Sequence, residues 1–357
     1  MFNLSDYGWN SFFENNFQSN KNKDFIPARV TVENKNNFLL FCEHGEITGE
    51  ISGKLMYGSE SQSDLPKVGD WVLINYFDKN SPAIIHEVLP RVTKLSRKIA
   101  GIKTEEQIIA ANIDIIFIVQ SLDSTFNTNR IERYLVAAVD SGAKPVVVLS
   151  KSDLNNDFEE INKKLVTIQK RAKILFSSSY LNEGIEKIRK FIRPGLTCAL
   201  IGPSGAGKST MINKLIGDDI LPTREVRTTD NRGRHTTTKR ELILLPEGGL
   251  IIDTPGMREL QLWTDSNSLN SAFPEIDNLS LKCRYSDCSH IHEKNCAVIE
   301  AVEKGILPES SYDNYLKMHK ELKYLERRMD YQAAQKEKKK WISIGKEMKR
   351  FNKLNNR

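Results

Sequence analysis

The sequence predicts a multidomain α/β protein: an N-terminal OB-like β-barrel, a P-loop nucleotide-binding domain and a C-terminal zinc-binding helical domain. Three observations carry that prediction. Residues 27–91 divide into short apolar runs separated by Gly-, Asn-, Ser- and Pro-containing turns. From Ile113 onward strand-like and helical runs alternate around a G-x-x-x-x-G-K-[ST] sequence. Cysteines and a histidine then crowd into one short segment near residue 290. The expected divisions are an extension at 1–24, the barrel at 25–95, the nucleotide domain at 96–262, the zinc domain at 263–334 and a basic tail at 335–357.

Composition narrows the class. Of 357 residues 39% are hydrophobic and 27% charged, as in an ordinary soluble globular protein. The N-terminal residues carry neither a basic n-region nor an apolar h-region, which predicts no signal peptide. No apolar run approaches a membrane span, and even Ile113–Val119 contains Asp114. A cytoplasmic monomer with no membrane contact is therefore expected. Five cysteines, three of them close together, suggest a reducing compartment and a metal site rather than disulfides. The net charge of +6 is concentrated in the tail, because residues 335–357 hold nine Lys/Arg against two Glu. That tail reads either as a nucleic-acid contact or as a solvated terminus.

In the extension, Trp9, Phe12 and Phe13 are candidate anchors. Barrel strands are expected at Ala28–Val32, Phe38–Cys42, Ile47–Leu55, Asp70–Tyr76 and Ile84–Leu89. Five strands of this length suit an OB-fold, with a plain SH3-like barrel as the alternative. The α/β region follows. Ile113–Val119, Pro145–Leu149, Lys173–Phe176 and Cys198–Ile201 read as buried strands. Asn129–Gly142, Phe158–Arg171 and Gly184–Ile192 read as helices between them. Strands at Leu242–Leu245 and Leu250–Ile252 complete a sheet whose ligands belong at the carboxyl ends of its strands.

The chemistry sits at those ends. In Gly202-Pro203-Ser204-Gly205-Ala206-Gly207-Lys208-Ser209-Thr210 the glycines let backbone N–H groups curl around phosphate oxygens. Lys208 would reach the β- and γ-phosphates, and the Ser209 hydroxyl would bind Mg²⁺. After Leu250-Ile251-Ile252 comes Asp253-Thr254-Pro255-Gly256. There Asp253 can hold Mg²⁺ through water and the Gly256 N–H can sense the γ-phosphate. Thr236, Thr237 and Thr238 compete for the Mg²⁺-binding switch position, Thr237 being favoured. After Pro145–Leu149, the run Ser150-Lys151-Ser152-Asp153 resembles the guanine-reading N-K-x-D motif, whose Asp accepts two hydrogen bonds that adenine cannot offer. Ser178-Ser179 stands where that motif's partner loop meets the base carbonyl.

The order of these motifs is permuted: the base-reading loops precede the P-loop, whereas an ordinary small GTPase begins with it. With a barrel before and a Cys/His cluster after, the chain closely resembles the RsgA (YjeQ) family of circularly permuted GTPases. Gly69-Asp70-Trp71-Val72, Ala110-Ala111-Asn112-Ile113-Asp114 and Gly233-Arg234-His235-Thr236-Thr237-Thr238 belong to that resemblance. It implies a Mg²⁺-dependent GTPase acting in late maturation of the small (30S) ribosomal subunit, where it would check decoding-region rRNA. Slow intrinsic hydrolysis would be stimulated by the subunit, and ribosome-binding factor A would be released. His235 is the family's candidate for orienting the attacking water; its other reading is an RNA-facing residue beside Arg232 and Arg234. Two positions stand out. Ser150 replaces the family's usual Asn, which anchors the base and ties its loop to the P-loop. Met257 follows Gly256 where many small GTPases place a water-orienting Gln, which agrees with slow intrinsic turnover.

Cys283, Cys288, His290 and Cys296 form C-x4-C-x-H-x5-C, a donor set suited to one closed, structural Zn²⁺. His292 competes for the fourth position, and the family pattern favours His290. Beyond the cluster Tyr315, Met318, Leu322, Leu325 and Met329 lie on one helix face, expected to pack into a core. Two rivals are weighed. An ABC-type ATPase shares the P-loop sequence, but no L-S-G-G-Q run follows and D-T-P-G replaces the D-E end of its Walker B strand. A non-enzymatic, nucleotide-gated rRNA-binding module remains the alternative.

Overall fold

The computed structural model describes residues 3–19, 24–34, 37–78, 81–99, 105–155, 157–217, 240–254 and 263–331. A 3-10 turn (Leu4–Tyr7) leads to helix α1 (Ser11–Gln18), where the Asn10 side chain accepts from the Phe12 and Phe13 amides. Phe13 is buried and Trp9 packs edge-on against Trp71 at 4.7 Å, whereas Phe12 is 40% exposed and packs edge-on against Phe13 of its own helix.

Strands β1 (Ile26–Glu33), β2 (Phe38–Cys42), β3 (Gly45–Ile51), β4 (Trp71–Asn75) and β5 (Ala83–Val88) pair in the order 1-2-3-5-4, and β4 returns to β1. Only the β3–β5 pair is parallel. Every barrel strand is thus paired on both sides, and the interior fills with Val30, Leu40, Val72, Ile74 and Ile85. The expected strand 47–55 ends early. Ser52 accepts the Leu55 amide at 3.2 Å and starts helix α2 (Gly53–Gly58), so residues 53–55 are helical. A hairpin that the sequence reading did not anticipate, β6 (Lys94–Lys98) with β7 (Glu106–Ala111), connects barrel and nucleotide domain.

The same sheet, eleven-stranded in all, continues into the nucleotide domain, which is built from β8 (Ile115–Ser121), helix α3 (Thr128–Ser141), β9 (Lys144–Ser150), helices α4 (Phe158–Lys164) and α5 (Val166–Arg171), β10 (Lys173–Phe176), helix α6 (Ile185–Arg189), β11 (Thr197–Ile201), helix α7 (Lys208–Ile216), β12 (Glu241–Leu244), which meets β1, and β13 (Leu250–Asp253). The strand order there is β10-β9-β8-β11-β13-β12, parallel except for β12. Both faces are apolar, as parallel strands require. Ile116, Ile118, Val147 and Leu149 pack with α3, α4 and α5; Phe117, Val119, Val146 and Val148 pack with α6 and α7. The helix expected over 158–171 is two. At Leu165 (φ −98°, ψ 0°) the chain turns, and Ile161 and Ile168 both reach the core.

Helices α8 (Ser266–Ala272), α9 (Pro274–Ser280), α10 (Ala297–Glu303) and α11 (309–331) share the first of those cores. Tyr315, Met318 and Leu322 are buried in it and Leu325 is buried one turn further on; Met329 is 40% exposed and lies beyond it.

Two buried arginines join these units. Arg29 of β1 donates to the Asn112 carbonyl (3.1 Å), the Gly69 carbonyl (3.3 Å), the Thr197 hydroxyl (2.9 Å) and the Tyr7 carbonyl. The Asn112 amide also donates to the Gly69 carbonyl at 3.0 Å. The stretches 69–72 and 110–114 therefore meet at the barrel joint. Gly69 has φ 90°, and a Cβ there would lie 2.2 Å from the Ala111 carbonyl oxygen. Arg171 of α5 instead pairs with two carboxylates, Glu132 of α3 (3.1 Å) and Glu275 of α9, under the ring of Phe273. Ser311 (2.6 Å) and Asn314 (2.7 Å) of α11 donate to Glu132 and complete the second joint.

Candidate active site

Four loops converge at the carboxyl ends of the parallel strands, following β8, β9, β10 and β11, and β13 ends beside them in Asp253. The P-loop turns through Gly202 (φ 150°), Gly205 (φ 80°) and Gly207 (φ 88°). A Cβ on Gly202 would lie 2.1 Å from the Val119 carbonyl oxygen, so no larger residue fits there. Helix α7 starts at Gly207 with no side-chain cap, leaving its first N–H groups directed toward an anion. Lys208 donates to the Gly202 and Pro203 carbonyls at 2.8 Å each. Burial lowers its ammonium to about 8, with nearby Asp253 opposing that shift. The glycine cradle, the uncapped helix end and the lysine fit a nucleotide's phosphates.

The Ser150–Asp153 run is held residue by residue. The Ser150 hydroxyl, 5% exposed, donates to the Ala206 carbonyl of the P-loop at 2.6 Å. Lys151 (φ 53°) pairs with Asp123 after β8 at 3.0 Å. The Ser152 amide donates to the Ser177 carbonyl at 3.1 Å. Asp153 accepts the Ser178 hydroxyl at 2.5 Å, and the Ser178 hydroxyl in turn accepts the Leu181 amide at 3.1 Å. Ser178 and Glu183 exchange backbone hydrogen bonds (3.0 and 2.9 Å), which fixes the loop bearing half-buried Ser179. Ser150 thus makes the tie to the P-loop that the usual Asn was expected to make.

Asp253 ends β13 opposite Leu200, and burial pushes its carboxyl up while Lys208 opposes the shift. Thr254 is fully buried, and its hydroxyl donates to the Leu200 carbonyl at 2.5 Å; it braces the strand end. The sequence reading gave Thr254 no role although it lies inside the D-T-P-G run, and it missed Asp123, which lies in no recognisable motif. His235, Thr236, Thr237, Thr238, Gly256 and Met257 lie outside the described residues.

The cysteine cluster is a second centre. Cys283 Sγ lies 3.6 Å from His290 Nδ1 and 3.8 Å from Cys296 Sγ, with His290 Nδ1 3.4 Å from Cys296 Sγ. With Cys288, all four ligand atoms fall within 4.8 Å of one another. Zn–S and Zn–N bonds of normal length give tetrahedron edges of about 3.5–3.8 Å, so the set fits one Zn²⁺. His290 adopts φ 60° and its carbonyl accepts the Tyr312 hydroxyl of α11 at 2.5 Å. His292 is exposed outside the cluster, while Glu293 accepts the Ser289, Ile291 and His292 amides and shapes the turn.

The chain as a whole is similar to known proteins. The RsgA GTPase family profile covers residues 88–263. A small ribosomal subunit biogenesis GTPase RsgA from Opitutus terrae is 41% identical over 350 residues, 96% of this chain and 95% of that protein. The chain belongs to the RsgA GTPase family. A further RsgA, from Oceanobacillus iheyensis, is 44% identical over 326 residues, 91% of this chain and 93% of its own length. The crystal structure of YjeQ from Thermotoga maritima superposes with TM-score 0.64 at 28% identity, covering 84% of this chain and 98% of that one. YloQ, described as a circularly permuted GTPase, has TM-score 0.61 at 22% identity over 85% and 96% of the two chains, and shares the fold. As an RsgA GTPase the chain is a GTP hydrolase, which implies GTP and Mg²⁺.

Proposed function

We propose that this chain assists late maturation of the small ribosomal subunit. It would bind the subunit's rRNA, hydrolyse GTP slowly alone and faster on the subunit, and promote release of ribosome-binding factor A. What supports the guanine reading is the anchored Ser150–Asp153 run: Ser178 holds Asp153, whose carboxylate would accept from the base edge, and Ser150 locks that loop to the phosphate cradle. Support for the ribosomal reading comes from the relatives named as subunit biogenesis GTPases.

The roles of residues 202–210, Asp253 and the cysteine cluster draw on this geometry; those of Thr237, Gly256 and His235 rest on sequence position and the family resemblance alone. The N–H groups of Gly202 and residues 204–210, with Lys208, would bind the phosphates, and Ser209 and Thr237 would hold Mg²⁺, which would supply charge neutralisation at the transferred phosphoryl group. Asp253 orders the metal's water shell, Gly256 senses the γ-phosphate and His235 orients the attacking water. Cys283, Cys288, His290 and Cys296 hold a structural zinc.

Phosphate release from GTP and ATP, at low salt, with and without purified small subunits, tests the proposal. The expected result is slow GTP turnover that subunits stimulate strongly, with ATP inert. Equal use of ATP would overturn the guanine reading. Unstimulated GTP turnover would overturn the ribosomal one and favour a nucleotide-gated RNA-binding module.

A further inference from the structure

The loop after β8 lies outside the nucleotide motifs, yet it touches one of them. The Leu122 amide donates to the Ser150 carbonyl at 2.9 Å, extending the β8–β9 pairing to the start of the base-reading run. This brings Asp123 alongside Lys151. Its two oxygens have separate tasks. Oδ1 accepts the Thr125 amide (2.9 Å) and hydroxyl (2.6 Å) and closes the local turn. Oδ2 accepts the Lys151 ammonium at 3.0 Å. The Thr125 carbonyl is braced from behind by the Gln120 side-chain amide at 3.2 Å.

Lys151 needs such an anchor. It occupies the left-handed region (φ 53°, ψ 41°), sparsely populated for a side chain of this kind, immediately before the 3-10 turn Ser152–Leu154 that carries Asp153. Its flexible four-carbon stem can cover a flat apolar surface only if the ammonium is fixed at the far end. Burial pushes the Asp123 carboxyl up, and the bonds from Thr125 and Lys151 outweigh that and hold it well below the ordinary carboxylate range. It stays ionised, a permanent partner for the lysine.

We propose that Asp123 is a positioning residue for nucleotide recognition. By holding the Lys151 ammonium it lays the lysine stem along the face of the purine whose edge Asp153 reads. The proposal rests on the guanine reading above. It also says that base binding here spans three loops, with the third contributed by the turn after β8.

Calorimetry on the full chain tests it with two probes, Mg²⁺–GDP and Mg²⁺–tripolyphosphate. The second fills the phosphate cradle without a base. Asp123→Asn keeps an Oδ1 acceptor for Thr125 but replaces the lysine's acceptor with an NH₂ group. It is expected to weaken GDP roughly three- to fivefold, as loss of a partly exposed ion pair does, and to leave tripolyphosphate unchanged. Asp123→Glu should restore part of the loss. In a Lys151→Met background Asp123→Asn should cost nothing further. Equal weakening of both probes, or additive losses in the double variant, would overturn the proposal and leave Asp123 as a turn former. A wild-type chain that binds ADP as tightly as GDP would instead sink the guanine reading, a result separable from a GDP-selective chain indifferent to Asp123.

Discussion

The two buried arginines solve the same problem with opposite chemistry. Arg29, at the barrel joint, is surrounded by backbone carbonyls and a hydroxyl, and burial lowers it to about 10 with Asp114 and Asp70 opposing. Arg171, at the joint to the helices around the Cys/His cluster, faces the carboxylates of Glu132 and Glu275. Carbonyl acceptors belong to the main chain and cannot be substituted away; carboxylates can. The barrel joint is therefore fixed by backbone geometry, whereas the second joint depends on balanced charge.

Metal removal should separate the two most widely. The Tyr312 bond to the His290 carbonyl couples the cysteine cluster to α11, which carries Ser311 and Asn314. Stripping zinc with a strong chelator should release one ion per chain and raise amide exchange across 283–315, leaving 69–73 and 110–114 protected. Equal loss at both joints would break the comparison.

Next in size is Arg171→Met, which strands Glu132 and should cost about 3–5 kcal/mol in urea unfolding. Adding Glu132→Leu should recover much of that. No second substitution can repair Arg29→Met, because the Asn112 and Tyr7 carbonyls stay behind while Gly69 keeps its bond from the Asn112 side chain; about 1–3 kcal/mol is expected for each carbonyl left unsatisfied. A rescue of Arg29→Met by any neighbouring apolar replacement would contradict the fixed-backbone reading. Gly69→Ala, pressing a Cβ toward the Ala111 carbonyl at a left-handed φ, should cost about 1–3 kcal/mol at the barrel joint alone.

The smallest effect is a pH slope. Burial raises the Glu132 carboxyl above its ordinary 4.5 despite Arg171. The folded state thus takes up the proton first, and stability falls as pH rises from 4.5 through the folded value. Glu132→Gln should flatten that part of the urea-midpoint profile, and Arg29→Met should not.

How much of this was legible in the sequence depended on distance along the chain. The P-loop, the 150–153 run and the cysteine cluster are local, and each announces its chemistry in a few residues. The barrel and the alternating sheet followed from apolar runs and turn residues. Joints did not show: Arg29 meets Thr197, and Glu132 meets Asn314, across separations that no periodicity records. The motif stretches 69–72 and 110–114 carried the family resemblance without revealing that they touch. Spacing left His290 and His292 equivalent; the family pattern favoured His290, and the ring positions agree. Helix α2 and the break at Leu165 were missed because a serine cap and one buried leucine override runs that read as continuous.

Strand β12 gives one last consequence. It pairs with β13 from Glu241↔Asp253 to Leu244↔Leu250, but among the described residues meets β1 at one pair, Val32↔Glu241, with Arg240 3.8 Å from Glu33 alongside. The eleven-stranded sheet thus carries a perforation between barrel and nucleotide domain. Across that line the barrel is held to the nucleotide domain chiefly by side-chain bonds to the main chain, those of Arg29 and Asn112, and little by strand pairing among the described residues.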